Sequence, residues 1–306
     1  MPSPSTGAPS LPTRDGVGPS CVALPPGPWL TVLDFLAERF AAIGRQEWQA
    51  RLLRGDVLDA QGHPLPADQV YRARERLYYY RSLPQEPRIP FDEVVLYQDE
   101  LLVVADKPHF LPVLPAGRYV QETLLVRLKR RLGLDTLAPM HRLDRETAGL
   151  VLFTVRPDTR DRYQALFRDR LIAKHYEAIA PHRPDLPLPA VHRSRIVPGA
   201  AFMTMREEAG EPNSETAIDC QAVNGAWARF GLSPRTGVKH QLRVHMAALG
   251  RPIRHDLIYP VLQPEAAADG LGAYPPALQL LARTVAFTDP VTGQARRFDS
   301  ARTLEF

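Results

Sequence analysis

Residues 141–155 read HRLDRETAGLVLFTV. The second half, residues 150–155, is a continuous apolar run of the kind found in strands that are buried on both faces of a sheet. The first half is polar and places Asp144 between two arginines. Gly149 stands at the junction, where a residue without a Cβ permits a tight entry into the strand. The stretch therefore predicts a charged loop that presents a carboxylate just before a buried strand.

Asp144 has two possible roles in such a loop. Flanking guanidinium groups favour the ionised form of a carboxylate, and an ionised, positioned carboxylate can act as a nucleophile, a base or a metal ligand. An aspartate can equally cap a turn and pair with a neighbouring arginine. From the loop alone, the turn-capping role is the favoured one.

The segments around this loop alternate between short strands and short helices. Strands are predicted at residues 94–97, 101–105 and 175–180, helices at 121–132, 157–171 and 239–249, and a hairpin at 216–223 and 227–232 across Asn224-Gly225. The chain contains 31 prolines among 306 residues, which favours many loops over long helices. The expected fold class is α+β, with a mixed, largely antiparallel sheet in a domain over residues 91–306.

The preceding residues form a separate arrangement. Residues 1–28 are rich in Pro, Ser and Gly and are predicted to be a flexible arm. Residues 29–82 contain two short helical patterns followed by small strands, and residues 83–90 are a proline-rich linker. The 29–82 segment resembles an S4-type α+β RNA-binding domain. On or beside its helices, Arg45, Arg51 and Arg54 could contact phosphates, although a solvated helix face explains each of them slightly better.

Several separated motifs occur in a fixed order along residues 94–289. Besides residues 141–150, they are Asp106-Lys107-Pro108 after a strand, Lys174 with Tyr176 as K-x-Y, residues 236–246 reading TGVKHQLRVHM, residues 250–253 reading GRPI with Asp256 and Tyr259, and residues 278–282 reading LQLLA. Together they resemble the RluA-like family of RNA pseudouridine synthases, whose signatures are close to HRLD-xx-TSGL and TGRTHQIRVH. This chain departs from these two signatures at Ala148, Val238 and Lys239. In the other motifs it departs at Leu281, where His is common in the family, and after Pro108.

The resemblance implies a reaction and a set of site residues. Uridine in structured RNA, ribosomal or transfer, would be isomerised to pseudouridine by breaking the N-glycosidic bond and rejoining the base through carbon. The implied catalytic residues are Asp144, Tyr176 and Arg243. The residues implied to bind substrate are Arg142, Lys174, His240 and Gln241. Arg243 would pair with Asp144, Tyr176 would pack on the target base, and Arg142 would help hold RNA with the uridine flipped out. Attack of Asp144 on the ribose and attack on the base both fit this resemblance.

Other patterns limit the cofactors and the location. Phosphate-binding glycine motifs are absent, so no nucleotide cofactor is expected, and an isomerisation requires no redox cofactor. His240 and His245 point about 140° apart on a helix, and Cys21 and Cys220 form no CxxC motif, so we predict no metal. Neither a secretory signal nor an apolar run of roughly 18 residues occurs, which predicts a cytoplasmic protein without a membrane contact. The net charge of +4 and the preference for Arg over Lys are compatible with RNA as the partner, but an arginine-rich genome explains them equally well. The chain is expected to be a monomer.

Two alternatives remain at this stage. The first is a non-catalytic S4-type RNA-binding protein, against which the intact Asp144, Tyr176 and Arg243 argue. The second is a hydrolase that uses Asp144 and Glu146 as a carboxylate pair, since the two lie close in sequence.

Overall fold

The computed structural model describes residues 11–81, 86–201, 203–264 and 274–306. The chain divides into two compact units, one up to Glu86 and one from Pro87 onward. This boundary falls within the predicted linker, of which residues 83–85 lie outside the described part of the chain. Among the described residues, no helix has both the length and the apolar character that crossing a bilayer requires.

The N-terminal unit is a small α+β arrangement. In chain order its elements are β1 (Ser20–Ala23), α1 (Val32–Arg39), α2 (Arg45–Leu53), β2 (Val57–Leu58) and β3 (Arg76–Tyr79). The strands form an antiparallel sheet in the order β1-β3-β2. Thr31 and Asp34 form a reciprocal capping box that fixes the start of α1. The apolar sides of both helices pack with β3 around the fully buried Trp48.

The predicted flexible arm is wrong for part of its length. Every residue of β1 pairs with β3, and Val22 and Leu24 pack against the core around Trp48. Val17 is also buried, and the hydroxyl of Tyr80 donates a hydrogen bond to the Pro12 carbonyl at 2.6 Å. The polar and proline-rich composition concealed a four-residue strand, because such a strand contributes too few apolar residues to change the local average. Residues 1–10 of the arm lie outside the described residues.

The second unit is built on one large sheet. Its strands are β4 (Val94–Gln98), β5 (Leu102–Lys107), β6 (Ala138–Pro139), β7 (Ala148–Thr154), β8 (Ala173–Pro181), β9 (Val191–Pro198), β10 (Met205–Glu208), β11 (Ser214–Asn224), β12 (Trp227–Pro234), β13 (Leu280–Thr288) and β14 (Ala295–Asp299). The strand order is β10-β9-β11-β12-β8-β13-β7-β5-β4, with β14 beside β13 and β6 beside β7. The single parallel pair among these described strands is β13 with β7. The predicted mixed, largely antiparallel sheet is confirmed.

Three helices cover this sheet: α3 (Leu124–Leu132), α4 (Arg160–Arg168) and α5 (Gln241–Ala248). Side chains alternate between the faces of β5 and β7, so that α3 packs against Val103 and Val151, whereas α4 packs against the opposite face with Val104 and Leu152. α5 packs its Leu242 and Met246 against β8 and β12. The buried run of residues 150–155 is therefore covered on both faces, as the sequence predicted.

Several boundaries differ from those predicted. α3 begins at Leu124 because Thr123 caps it, and α5 begins at Gln241 because His240 has a left-handed conformation with φ of 57°. The hairpin turn is Gly225-Ala226, since Asn224 already pairs with Trp227. The sequence analysis did not identify β9, β10, β13 or β14.

Gly149 fixes the position of the 141–147 loop against the sheet. It has φ of 109° and pairs with Ala282 where β7 meets β13. A Cβ at this position would lie 2.3 Å from the Ala282 carbonyl oxygen, which no side chain can occupy. The predicted tight entry into the strand is thus a close approach of two backbones, and it places the preceding loop beside β8 and β13.

Candidate active site

α5 holds a buried guanidinium between two carboxylates. Arg243 Nε and Nη2 donate hydrogen bonds to the two carboxylate oxygens of Asp256 at 2.7 and 2.6 Å, and Nη1 donates to Asp144 Oδ2 at 3.1 Å. The Asp256 side chain is completely buried and also accepts hydrogen bonds from the backbone N–H groups of Ile258 and Tyr259. A bidentate pair with Asp256 therefore orients Arg243 on one side, and Nη1 is directed to Asp144 on the other side.

The charge of Arg243 is stabilised despite its burial. Burial disfavours the cation, but the hydrogen bonds and charge of Asp256, together with the charge of Asp144, raise its pKa above the ordinary value. A permanent positive charge is consequently fixed beside the Asp144 carboxylate.

Asp144 begins a turn but does not cap it. Its backbone carbonyl accepts the Thr147 N–H at 3.2 Å, whereas its carboxylate is directed to α5 and is about one-third exposed. Apart from Arg243, one other basic side chain among the described residues lies within 4 Å of its carboxylate, that of His240, whose Nε2 is 3.8 Å away. The flanking Arg145 instead pairs with Glu146 at 2.8 Å. The turn-capping role that the loop alone favoured is therefore wrong, because the partner is 99 residues away in sequence.

A cleft of about 130 Å³ opens beside Asp144. It is lined by Arg142, Leu143, Asp144, Thr147, Lys174, Tyr176, Pro234, Thr236, Gly237, Val238, His240, Gln241, Leu242, Arg243 and Leu280. All seven residues that the resemblance implied thus line one cleft. Its volume would accommodate one nucleobase but not a stacked duplex.

Tyr176 and Lys174 lie on one face of β8, two residues apart. Burial, reinforced by the negative charge of Asp144, raises the pKa of Tyr176, so that its hydroxyl stays protonated at neutral pH. That hydroxyl has no hydrogen-bond partner among the residues that the structure describes. Lys174 Nζ donates to the Thr236 carbonyl at 3.0 Å, and burial together with Arg170 lowers its pKa.

His240 and Gln241 use their polar atoms within the protein. His240 Nδ1 and the Tyr259 hydroxyl are 2.8 Å apart, and burial lowers the pKa of His240. Gln241 Oε1 accepts from the Thr236 hydroxyl and the Val238 N–H, and its Nε2 donates to the Glu215 carbonyl and the Thr216 hydroxyl. Both residues border the cleft, and their bonds join α5 to the loop before it and to neighbouring strands.

His141 has a structural environment. Its Nε2 accepts the Leu152 N–H at 3.2 Å, and its ring stacks on Phe167 with centroids 4.4 Å apart. Burial lowers its pKa to about 3, so the ring is neutral. Arg142, the next residue, is exposed and lines the cleft, and its side chain has no hydrogen bond or ion pair with any described residue.

Sequence reasoning missed the residues that hold the Asp144 turn. Buried Lys107 donates hydrogen bonds to the carbonyls of Pro108, Leu111 and Arg145 at 2.8 to 3.0 Å, and His109 Nδ1 lies 2.6 Å from the Glu146 carbonyl. Burial lowers the pKa of Lys107 to about 7, although the charges of Glu146 and Asp144 oppose the change. The motif containing Lys107 was visible in the sequence, but the contact with the turn depends on tertiary pairing of β5 with β7.

One group of side chains has metal-ligand composition. Ligand-type atoms of His192, Glu207 and His245 lie within 4.8 Å of one another. The Ser214 hydroxyl donates to the Ser194 carbonyl at 2.6 Å, so it must accept from His245 Nε2 at 3.0 Å, and this places the imidazole hydrogen on Nε2. A protonated nitrogen is not a ligand, and a hydrogen-bonded network explains the cluster. The predicted absence of a metal stays a prediction.

Comparisons with known proteins identify the fold and the family. Residues 101–248 match the RNA pseudouridylate synthase family. An uncharacterised RNA pseudouridine synthase of Synechocystis is 32% identical over 74% of this chain and 79% of that protein. The dual-specificity RNA pseudouridine synthase RluA of Salmonella typhi is 33% identical over 70% of this chain and 94% of that protein.

The chain belongs to the RNA pseudouridine synthase family. The solved structure of human RNA pseudouridylate synthase domain containing 4 superposes with a TM-score of 0.52 at 28% identity, covering 69% of this chain and 88% of that one. As a pseudouridine synthase, the protein is an isomerase that converts uridine in RNA to pseudouridine. The predicted RluA-like relationship and the predicted reaction are confirmed.

Proposed function

We propose that Asp144 is the carboxylate on which this pseudouridine synthase depends, acting on a uridine of structured ribosomal or transfer RNA. The observation that carries the proposal is the position of its carboxylate. It is partly exposed in a cleft sized for one base, and buried Arg243 holds it in place. The turn that contains Asp144 is closed by a backbone hydrogen bond and does not involve the carboxylate. A carboxylate so placed is available to a substrate, and its negative charge is stabilised without being consumed by structure.

The other cleft residues have complementary roles in this proposal. Arg243 orients Asp144 and supplies the neighbouring positive charge. Tyr176 packs on the extruded base, and its protonated hydroxyl can donate a proton but not accept one at neutral pH. Arg142 holds the RNA. Lys174, His240 and Gln241 shape the wall, since each already bonds to protein groups.

The reaction requires two changes at the uridine. The bond from N1 to the ribose breaks, and a bond from C5 to the same ribose carbon forms. The C5 hydrogen then leaves as a proton, and N1 gains one, so the atoms balance without a cofactor or a redox change. Asp144 is the group in the cleft that can act as nucleophile or base in these steps.

The two alternative functions fit the site less well. A two-carboxylate hydrolase requires both acids to face the substrate. Glu146 is instead paired with Arg145 and does not line the cleft. A non-catalytic binding protein leaves the buried Arg243–Asp256 pair and its orientation toward Asp144 without a purpose.

The test uses the purified chain and RNA carrying 5-tritiated uridine. We expect tritium release into water, together with pseudouridine at a discrete position when total RNA from cells with and without the gene is mapped. Release of free uracil would identify a hydrolase. Tight RNA binding without tritium release would identify a binding protein, and either result would overturn the proposal.

We also propose that the N-terminal unit is an S4-like RNA-binding domain. Two short helices followed by small strands support this, but the arginines named from the sequence do not carry it. Arg45 pairs with Asp34, and Arg54 pairs with Glu47 and Asp56. Arg51 is buried, pairs with Glu47 and stacks over Trp48. Arg74 and Arg76 are exposed, and among the described residues their side chains have no ion pair or hydrogen bond, which makes them the better phosphate contacts.

Charge-removal variants of the full chain test this second proposal. We expect Arg74→Gln with Arg76→Gln to weaken RNA binding and to lower the slope of log affinity against log salt by roughly 0.7 to 0.9 for each lost phosphate contact. Arg45→Gln is the matched control, because its charge is already engaged by Asp34. A slope equal to that of the wild type in the double variant would show that these arginines do not meet phosphate. Removal of residues 1–86 should weaken binding further while tritium release at high RNA concentration persists.

A further inference from the structure

Three cations beside the cleft have no side-chain partner in the part of the chain that the structure describes. Arg142, Arg170 and Lys239 are all exposed, and among the described residues none of their side chains forms a hydrogen bond or an ion pair. Each belongs to a different segment: the turn before β7, the loop between α4 and β8, and the loop between β12 and α5. We call these three residues the cationic rim.

The rim residues converge on one place. Arg142 itself lines the cleft. Arg170 lies in the loop that leads into β8, whose Lys174 lines the cleft, and after burial its charge contributes to the lowered pKa of Lys174. Lys239 stands between Val238 and His240, which both line the cleft. Positive charge from three segments is therefore concentrated around the entrance to the Asp144 site.

Missing partners are not the general condition of basic residues in this unit. Arg145 lies one residue from Asp144 and pairs with Glu146. Arg193 and Arg235 both pair with Glu215, which is close to the 236–240 loop. Among the residues that line the cleft, Asp144 is the one carboxylate, so three rim cations leave positive charge in excess there, and like charges repel one another and oppose folding. Such an arrangement persists in a protein when it serves an external anion.

We propose that the cationic rim binds the phosphates of the RNA backbone on either side of the target nucleotide. This rests on the proposed function, because it uses the same cleft. Exposed, flexible cations on three separate segments suit a chain of phosphates better than one compact anion, and they hold the strand while the base enters the cleft. Lys239 and Arg170 are the new assignments. Lys239 also stands at one of the positions where the 236–246 stretch departs from the signature that it resembles.

The test compares Lys239→Gln, Arg170→Gln and their double variant with the wild type, on a stem-loop RNA that contains the mapped uridine. The salt slope of log affinity should fall by roughly 0.7 to 0.9 for each lost cation. The loss of kcat/KM should appear in KM. Lys239→Arg should retain the wild-type slope, because it keeps the charge. Arg297→Gln removes an exposed arginine that pairs with Asp299, so its slope should be unchanged.

Three outcomes would overturn the proposal that the cationic rim binds RNA phosphates. They are an unchanged slope in the double variant, a loss confined to kcat, and equal competition by millimolar inorganic phosphate, which would indicate a site for a small anion. Melting temperatures at or above that of the wild type are expected, since each variant removes repulsion, and a clear decrease would indicate a structural role instead. The slope is measured by binding alone. Failure of the proposed catalytic role of Asp144 would appear as tritium release at the wild-type rate from Asp144→Asn, whatever the slope.

Discussion

Two arginines in the second unit, the partly buried Arg127 and the buried Arg243, differ in the groups to which they donate hydrogen bonds. Arg127 on α3 donates to the Phe91 and Ile89 carbonyls at 2.7 and 2.6 Å, and it pairs with Glu93 and Glu122. Arg243 on α5 uses two donors on Asp256, and its third ends on Asp144 in the cleft.

Burial and ion pairing alone therefore do not mark a catalytic arginine. Burial opposes both charges, and carboxylates raise the pKa of both guanidinium groups. Every contact of Arg127 named above is made to a backbone carbonyl or a carboxylate outside the cleft, and these contacts stabilise the fold. One contact of Arg243 instead leads to Asp144, a carboxylate that solvent reaches and that, under the proposed function, is available to substrate. Substitutions at Asp144, at the two arginines and at the carboxylates that pair with them test this difference.

The largest effect on turnover is expected from removing the charge of Asp144. Asp144→Asn is nearly isosteric and removes the negative charge, so we expect tritium release to fall by at least about a thousandfold, while folding and RNA affinity are kept. Asp99→Asn is the matched control, because the Asp99 carboxylate caps its own turn through the Leu101 and Leu102 N–H groups. Asparagine caps nearly as well as aspartate. Release at the wild-type rate from the Asp144 variant would remove the distinction between the two systems.

The next effect is expected at the arginines themselves. Arg243→Leu leaves the buried Asp256 without its ion pair, and Arg127→Leu removes one of the two arginines that pair with the buried Glu93. Both variants should lose stability, and for Arg243→Leu the loss should be about 3 to 5 kcal/mol, as for a broken buried pair. Only the Arg243 variant should lose turnover, because only Arg243 contacts Asp144. The measurement is kcat at saturating RNA, at a temperature where melting curves show both variants folded. Equal loss of kcat in the two variants would mean that Arg243 is structural.

A smaller effect on turnover is expected at Asp256, which contacts Arg243. Asp256→Asn keeps the shape of the group that orients Arg243 but removes its charge, and we expect kcat to fall by about tenfold with KM for RNA unchanged, as for a loss of positioning. Glu122→Gln makes the same change beside Arg127 and should leave kcat unaltered. An increase in KM without a change in kcat for Asp256→Asn would contradict the positioning role.

Local pattern predicted the elements of this molecule better than it predicted their partners. The apolar run of residues 150–155 specified a buried strand because burial on both faces requires apolar residues at every position. The pairing of Asp144 with Arg243 came from the family resemblance and not from the loop, whose nearest guanidiniums are directed elsewhere. β1 was missed because a short strand with one apolar face has almost no compositional signal.

The support of the Asp144 turn could not be read locally either. Lys107 reaches the Arg145 carbonyl only because β5 and β7 pair in register, and the contact spans 38 residues of sequence. The lack of an ion pair for the cationic rim among the described residues was equally invisible, since ion pairing is a property of the folded surface.

The close approach at Gly149 has a consequence for how this enzyme can vary. A methyl group there would displace β7 from β13, and with it the turn that holds Asp144 five residues earlier. Stability and chemistry are inseparable at this position, so a saturation library selected for either property should return glycine. Changes of substrate preference by mutation must then come from other cleft residues, because this backbone contact excludes every side chain at position 149.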